Sequence, residues 1–165
     1  MPEKRTLRAA ERDRREGKSP STQAGEFVRE EIEHIREGKH GVRSSKQAIA
    51  IGLSKARRAG VRLPAPRKNA SKQVQKKAEQ DLEAGAQHRR KSPRRARATE
   101  NALKRESREP ASKSALSRQA RTAAAKRSSG ARSAAAKKAA RTKGPAKRSA
   151  AAKKAARTRA RKAAG

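Results

Sequence analysis

GEFVREEIEHIREGKHG at residues 25–41 and SKQAIAIGLSKARRAGVRLP at residues 45–64 decide how this chain is read. Ala24, Phe27, Val28, Ile32 and Ile35 recur at helical spacing and form one apolar stripe, while Glu26, Glu30, Glu31 and Glu33 fill the opposite side. Ser19, Ser21 and Thr22 offer N-caps before it, and Pro20 suits a first helical position. Gly38 and Gly41 bracket Lys39 and His40 as a stop and a turn. A second helix starts at Ser44 or Ser45, where Ser44 and Gln47 have capping-box spacing. Its stripe is Ala48, Ile49, Gly52, Leu53 and Ala56, with Gly52 permitting close helix approach. Gly60 stands where a left-handed C-cap belongs, Val61 can pack back, and Pro64 blocks continuation. The reading predicts a helical hairpin over 21–64 with a core of Phe27, Val28, Ile32, Ile35, Ile49 and Leu53. A module of that size is expected to be marginal alone, or stabilised by self-association or a ligand.

Outward from the hairpin the apolar supply collapses. The chain has 165 residues and a formal net charge of +33, with 48 Lys and Arg against 15 Asp and Glu. Leu, Ile, Val and Phe number only 15, of which 10 lie in 21–64, whereas Ala alone numbers 36. So little large apolar surface cannot offset ordering entropy of roughly 1–2 kcal/mol per residue over the whole length, and such composition falls in the disordered class. The expected fold class is therefore mostly disordered, with a small all-α hairpin near the N-terminus and transient flanking helices. Residues 1–20 read as a basic segment with a helix over Glu3 to Glu16. Residues 65–110 read as a mixed-charge connector with weak helices over Ser71 to Ala84, ending at Gly85, and over Thr99 to Glu109. No run of about 18 apolar residues provides a membrane span, and Met1 to Lys18 is charged throughout, unlike a secretory signal. The expectation is a cytoplasmic, nucleoid location. Without Cys there is neither disulfide nor thiolate metal site.

Residues 111–165 carry eighteen cations and no anion. RSAAAKKAARTK at 132–143 returns as RSAAAKKAARTR at 148–159, sixteen residues later, and RTAAAKR at 121–127 is a partial third copy. The copies offer only Ala for stacking, so they read as a disordered, low-complexity polycationic tail rather than a solenoid. Such a block repels itself and becomes favourable beside a polyanion. Each phosphate neutralised on duplex DNA contributes a slope of about −0.9 to log K against log salt, so about ten contacts lose on the order of five decades over a fourfold rise in salt. Backbone contacts position a protein without reading sequence. The candidate phosphate contacts are Arg118, Arg121, Lys126, Arg127, Arg132, Lys137, Lys138, Arg141, Lys143, Lys147, Arg148, Lys153, Lys154, Arg157, Arg159, Arg161 and Lys162.

Three stretches carry resemblances. The two stretches quoted first resemble a bacterial family of uncharacterised small basic proteins that share the Lys46 to Arg57 sequence, KQAIAIGLSKAR; the likeness covers about 21–66. That resemblance implies no established activity, although members are sometimes labelled DNA-binding or plasmid-stabilisation proteins. Residues 111–165 resemble bacterial histone-H1-like tails in composition. Lys91-Ser92-Pro93-Arg94-Arg95 resembles the Ser-Pro-basic elements of some linker and sperm histones, which implies minor-groove contact by Arg94 and Arg95; otherwise it is a basic run with an incidental proline.

The second hairpin helix is itself basic. A helix-turn-helix reading presents Ser44, Ser45, Lys46 and Gln47 to a groove and adds Lys55, Arg57 and Arg58 as contacts. In the competing reading Lys55, Arg57 and Arg58 complement the helix C-terminus and pair with the acidic first helix. Chemistry for catalysis is not evident. Glu30 and His34 share a helix face but lack further ligands, and Gly38-Lys39-His40-Gly41 lacks the spacing of a phosphate loop. No enzyme activity, metal or cofactor is expected. The sequence reading is a nonspecific, nucleoid-associated, histone-H1-like protein that binds DNA more than RNA through its cationic tail. The alternatives are an RNA-binding or ribosome-associated protein, or an interaction module whose hairpin meets a second copy or a protein partner on DNA.

Overall fold

The computed structural model describes residues 2–66, 70–87 and 92–163, without the side chain of Lys162. Two compact units divide the chain, 1–119 and 120–165. The described residues form α1 (Lys4–Arg15), α2 (Pro20–Arg36), α3 (Ser45–Arg58), α4 (Lys72–Ala86), α5 (Pro93–Lys104), a 3-10 turn (Glu109–Ala111), α6 (Lys113–Ala125) and α7 (Ser129–Ala163), with no strand among them. The expectation of a mostly disordered chain with transient flanking helices is wrong: the described residues are 78% helical and well ordered. Low complexity and disorder do not describe 113–125 and 129–163, which are helical. Large apolar side chains are not the only source of order. Helices close their own backbone hydrogen bonds, and Ala, Lys and Arg are among the best helix formers.

The hairpin forms where its sequence signals lie. Ser19 accepts from the Thr22 N–H, with Pro20 opening α2. Ser44 accepts from the Gln47 N–H, while Gln47 Oε1 returns to the Arg43 N–H, one residue earlier than a capping box requires. Gly38 (φ +83°) ends α2, and the N–H of its neighbour Lys39 donates back to His34 O at 3.0 Å. Gly60 (φ +90°) ends α3 in the same manner, with Val61 N–H on Ala56 O at 3.0 Å. These paired return bonds satisfy carbonyls that the helix leaves open. At the crossing of α2 and α3, a Cβ on Gly52 would stand 2.7 Å from Val28 Cα, so the close approach requires glycine.

The hairpin is the centre of a larger helical unit. One apolar cluster joins Ala10 of α1, Ala24 and Phe27 of α2 and Ala56 of α3 to Val61 and Leu63, with Leu53 against them. A second joins Ile35, Val42 and Ala48 to Ala111, with Ile32, Ile51 and Leu103 alongside. Of the expected core, Phe27 and Ile35 are fully buried, Ile32 and Leu53 line the clusters, and Val28 meets Gly52. Ile49 is half-buried and lies outside both clusters, where Ile51 serves instead.

The flanking helices are held by small residues and buried carboxylates, which a count of large apolar side chains misses. Asp13 of α1 is buried and accepts from Lys18 Nζ at 2.7 Å. Asp81 of α4 is buried and accepts from Ser54 Oγ of α3 at 2.7 Å and from Lys77 Nζ at 2.8 Å. Gly85 does not end α4; it lies against the backbone of Arg57, where a Cβ would clash. Thr99 does not cap a helix but sits inside α5, its hydroxyl on Arg95 O. The segment after α5 closes on the hairpin: Gly41 N–H meets Leu103 O, Val42 N–H meets Ser107 O, and Arg36 Nε donates to Ala111 O at 2.8 Å.

In the second unit, α7 breaks at Gly144 (φ +69°), and Pro145 follows the break. Each repeat copy falls on one side, 132–143 before and 148–159 after. The same side-chain bond recurs in each, Thr142 Oγ1 to Lys138 O at 2.9 Å and Thr158 Oγ1 to Lys154 O at 3.0 Å. The sixteen-residue period is thus one helical stretch plus its break.

Candidate nucleic-acid interface

The cationic side chains of the second unit stand in solvent. Arg121, Lys126, Arg127, Arg132, Lys137, Lys138, Arg141, Lys143, Lys147, Arg148, Lys153, Lys154, Arg157, Arg159 and Arg161 are all exposed; the Lys162 side chain lies outside the described residues. Arg118, in the first unit, reaches Glu109 at 3.5 Å. Among the described residues, no ion pair involves a cation beyond it. At 100° per residue, Arg132, Lys137, Lys138, Arg141 and Lys143 distribute around the axis rather than along one face. The result is a rod with positive charge on every side and Ala between the charges.

The second hairpin helix is arranged differently. Lys46 is exposed at the start of α3, while the side chain of Gln47 is engaged with Arg43. Lys55 is turned inward: its Nζ lies 2.6 Å from Glu31 Oε2 and 3.6 Å from Glu30 Oε1. Arg58 reaches Asp81 of α4 at 3.7 Å, and Arg57 Nε is buried without an acceptor. Internal pairing therefore occupies Lys55 and Arg58, and Arg57 lies under α4. Arg94 and Arg95 are exposed on the first turn of α5, opened by Pro93; Lys91 of the same element lies outside the described residues. The proline has a structural use, since its fixed φ suits the first helical position.

Beneath α3 lies an acid–histidine cluster. Glu30 and Glu31 are 1% and 0% exposed. The Glu3 N–H donates to Glu30 Oε2 at 3.1 Å, and His34 Nε2 donates to Glu3 Oε1 at 2.7 Å. That hydrogen bond, with Arg5 and Lys39 nearby, holds the Glu3 carboxyl at about 2 against an ordinary 4.5. His40 Nε2 faces Glu31 Oε1 at 3.4 Å. Lys55 meets the two glutamates as an ion rather than through aligned hydrogen bonds, so Glu30 Oε1 and both Glu31 oxygens are buried without a hydrogen bond. Sequence reasoning found Glu30 and His34 but missed Glu3, Asp13, Asp81 and the pairing of Glu31 with His40. Asp81 had a signal, three residues beyond Ala78 on the α4 stripe. The meeting of Glu3 with His34, 31 residues apart, had none.

Residues 4–69 match the model of a family of unknown function, DUF6496. The match overlaps the stretch read as resembling a family of small basic proteins, and it carries no activity with it. It spans α1, α2 and α3 and none of 120–165. No curated protein matches this chain. No solved structure matches it either.

Proposed function

We propose that this protein is a nonspecific DNA-binding, nucleoid-associated protein whose unit 120–165 engages the phosphate backbone. The observation that carries the reading is that sixteen cations and no carboxylate side chain lie in 120–165, with every described cationic side chain in solvent. An α-helix about 10–12 Å across fits the roughly 12 Å major groove of B-DNA, where cations on all sides meet both phosphate walls. The deep, narrow major groove of A-form RNA refuses such a rod, which favours DNA over duplex RNA. Phosphate screening also removes the repulsion along the helix. The first unit supplies a scaffold that pairs part of its own positive charge internally, and the labels attached to the family it resembles agree with a role on DNA.

The test is a salt titration of binding to duplex DNA and to duplex RNA of equal length. Replacing Lys137, Lys138, Lys153 and Lys154 by Gln keeps good helix formers in place. Each lost contact flattens the log K against log salt slope by about 0.9, so the expected change is roughly 3 to 4. An unchanged slope refutes the assignment of these lysines, and tighter binding to duplex RNA refutes the choice of DNA.

A further inference from the structure

We infer that Glu31, His34 and His40 form a divalent-cation site of the zinc type, placed where the end of α2 meets the turn into α3. The three side chains each bring one ligand atom, all within 4.8 Å of one another. Glu31 and His34 stand three residues apart on α2 and so share a face. His40 comes from the turn, whose course Gly38 and Gly41 fix.

Hydrogen bonding sets the histidines for this use. His40 Nδ1 lies 3.1 Å from Gly41 O, a carbonyl that can only accept, so Nδ1 carries the proton. The other ring nitrogen, Nε2, faces Glu31 Oε1, an atom with no hydrogen bond on a fully buried side chain. A ring nitrogen 3.4 Å from a buried carboxylate oxygen that has no hydrogen bond is a place for a cation shared by the two. His34 donates through Nε2 to Glu3, so a metal bound with that hydrogen bond kept would be held by Nδ1. A carboxylate or carbonyl on the far ring nitrogen is the usual support of a metal-binding histidine, and both rings have one.

The spacing suits a small ion. Zinc bonds of about 2.0–2.2 Å place tetrahedral ligands roughly 3.3 Å apart. Glu31 and His40 already stand at that separation, and the ligand atoms of all three side chains lie within 4.8 Å of one another. Charge also agrees: Lys55 stays on Glu31 Oε2 and Glu30 Oε1, leaving one net negative charge between the two glutamates. Lys39 lies farther out, on Glu3 and Glu37. The side chains of His34 and His40 are 12% and 14% exposed, which gives an ion a way in and leaves a fourth position for water. Two histidines and one carboxylate with an open position are a known zinc arrangement, and a metal here would staple α2 to the turn in a unit with a small core.

The full-length chain, freed of nucleic acid and of metal, is titrated with Zn²⁺ by calorimetry and with Co²⁺ by visible absorption. The expected result is one equivalent per chain, tetrahedral Co²⁺ bands, and a thermal midpoint that rises with Zn²⁺ until one equivalent is bound. His34→Gln and His40→Gln each weaken binding at least tenfold and abolish the bands. Glu3→Gln weakens it about tenfold, as loss of a supporting partner does. His88→Gln changes nothing. Amide spectra confirm that each variant is folded; Gln is chosen because it retains a hydrogen-bonding end at these rim positions. No binding by the natural chain, or equal binding by the His34→Gln/His40→Gln double variant, overturns the site and leaves a proton as the cation between His40 and Glu31.

Discussion

The two units of this molecule treat the same side chains in opposite ways. All fifteen Asp and Glu residues lie within 1–119 and none in 120–165. In the first unit several lysines and arginines are internal fittings, although Lys46, Arg94 and Arg95 stay exposed: Lys55 holds two buried glutamates, and Arg58 and Lys77 converge on Asp81. In the second the same residue types have no acid to meet and project outward. A positive charge is thus structural or available according to whether a carboxylate was placed within reach. Net charge alone, +33 for the chain, hides that division.

The largest expected effect breaks the comparison outright. Deleting 120–165 removes sixteen cations; if six to ten of them contact phosphate, the full chain loses roughly three to five decades of affinity over a fourfold rise in salt, and the truncated chain lacks that dependence. Gel shifts at two salt concentrations measure it, and a truncated chain that binds DNA as well as the full one ends the division of labour. The next effect falls inside the first unit. Lys55→Met strands Glu30 and Glu31 in the core, and removing one partner of a buried ion pair destabilises by about 3 kcal/mol or more. Faster amide exchange at Phe27 and Ile35 reports it, while exchange in 145–163 stays as it was.

A third comparison uses one substitution in both units. Gly52→Ala pushes a Cβ into Val28, and such overpacking costs about 1–3 kcal/mol. Gly130→Ala meets nothing within 4 Å and stabilises its helix by up to about 1 kcal/mol through backbone entropy. Opposite shifts in calorimetric midpoint and helical circular dichroism are expected; a Gly52→Ala chain as stable as the natural one would mean that the α2–α3 crossing is not tight.

The smallest effect is a titration. The Glu3 carboxyl sits at about 2 in the fold, against an ordinary 4.5. Its bonds to His34, Arg5 and Lys39 are therefore fully present above pH 4.5 and are lost as pH falls through 2. Carbon-13 spectra of Glu3 should show this midpoint. Loosening of α1 should follow the same curve and be absent from Glu3→Gln. A Glu3 midpoint near 4.5 would separate α1 from the cluster.

Much of the hairpin was legible because its determinants are local. Ser19, Pro20, Ser44, Gly38 and Gly60 each act within a few residues, and all occupy the positions their chemistry assigns. The error lay in the remainder, judged by a shortage of Leu, Ile, Val and Phe. Ala10, Ala78, Ala111 and the buried Asp13 and Asp81 carry much of the packing there. A carboxylate reads as surface until its partner is known. The reading of Lys55 and Arg58 as groove contacts met the same limit, since neither shows in sequence which way it faces.

The sequence by itself determined where α2 and α3 start and stop, that residues after 110 have no acidic side chain among them, and that the repeated segments lack an apolar face. These follow from backbone sterics, helix propensity and charge counting, which depend on near neighbours or on none. Tertiary structure decided which acids were consumed by which bases, that α1 and α4 dock, and that Glu31, His34 and His40 converge. Those outcomes depend on how α2 crosses α3 at Gly52 and on where the 37–44 turn delivers its histidine, and the direction of a side chain in space is set only once the helices have packed.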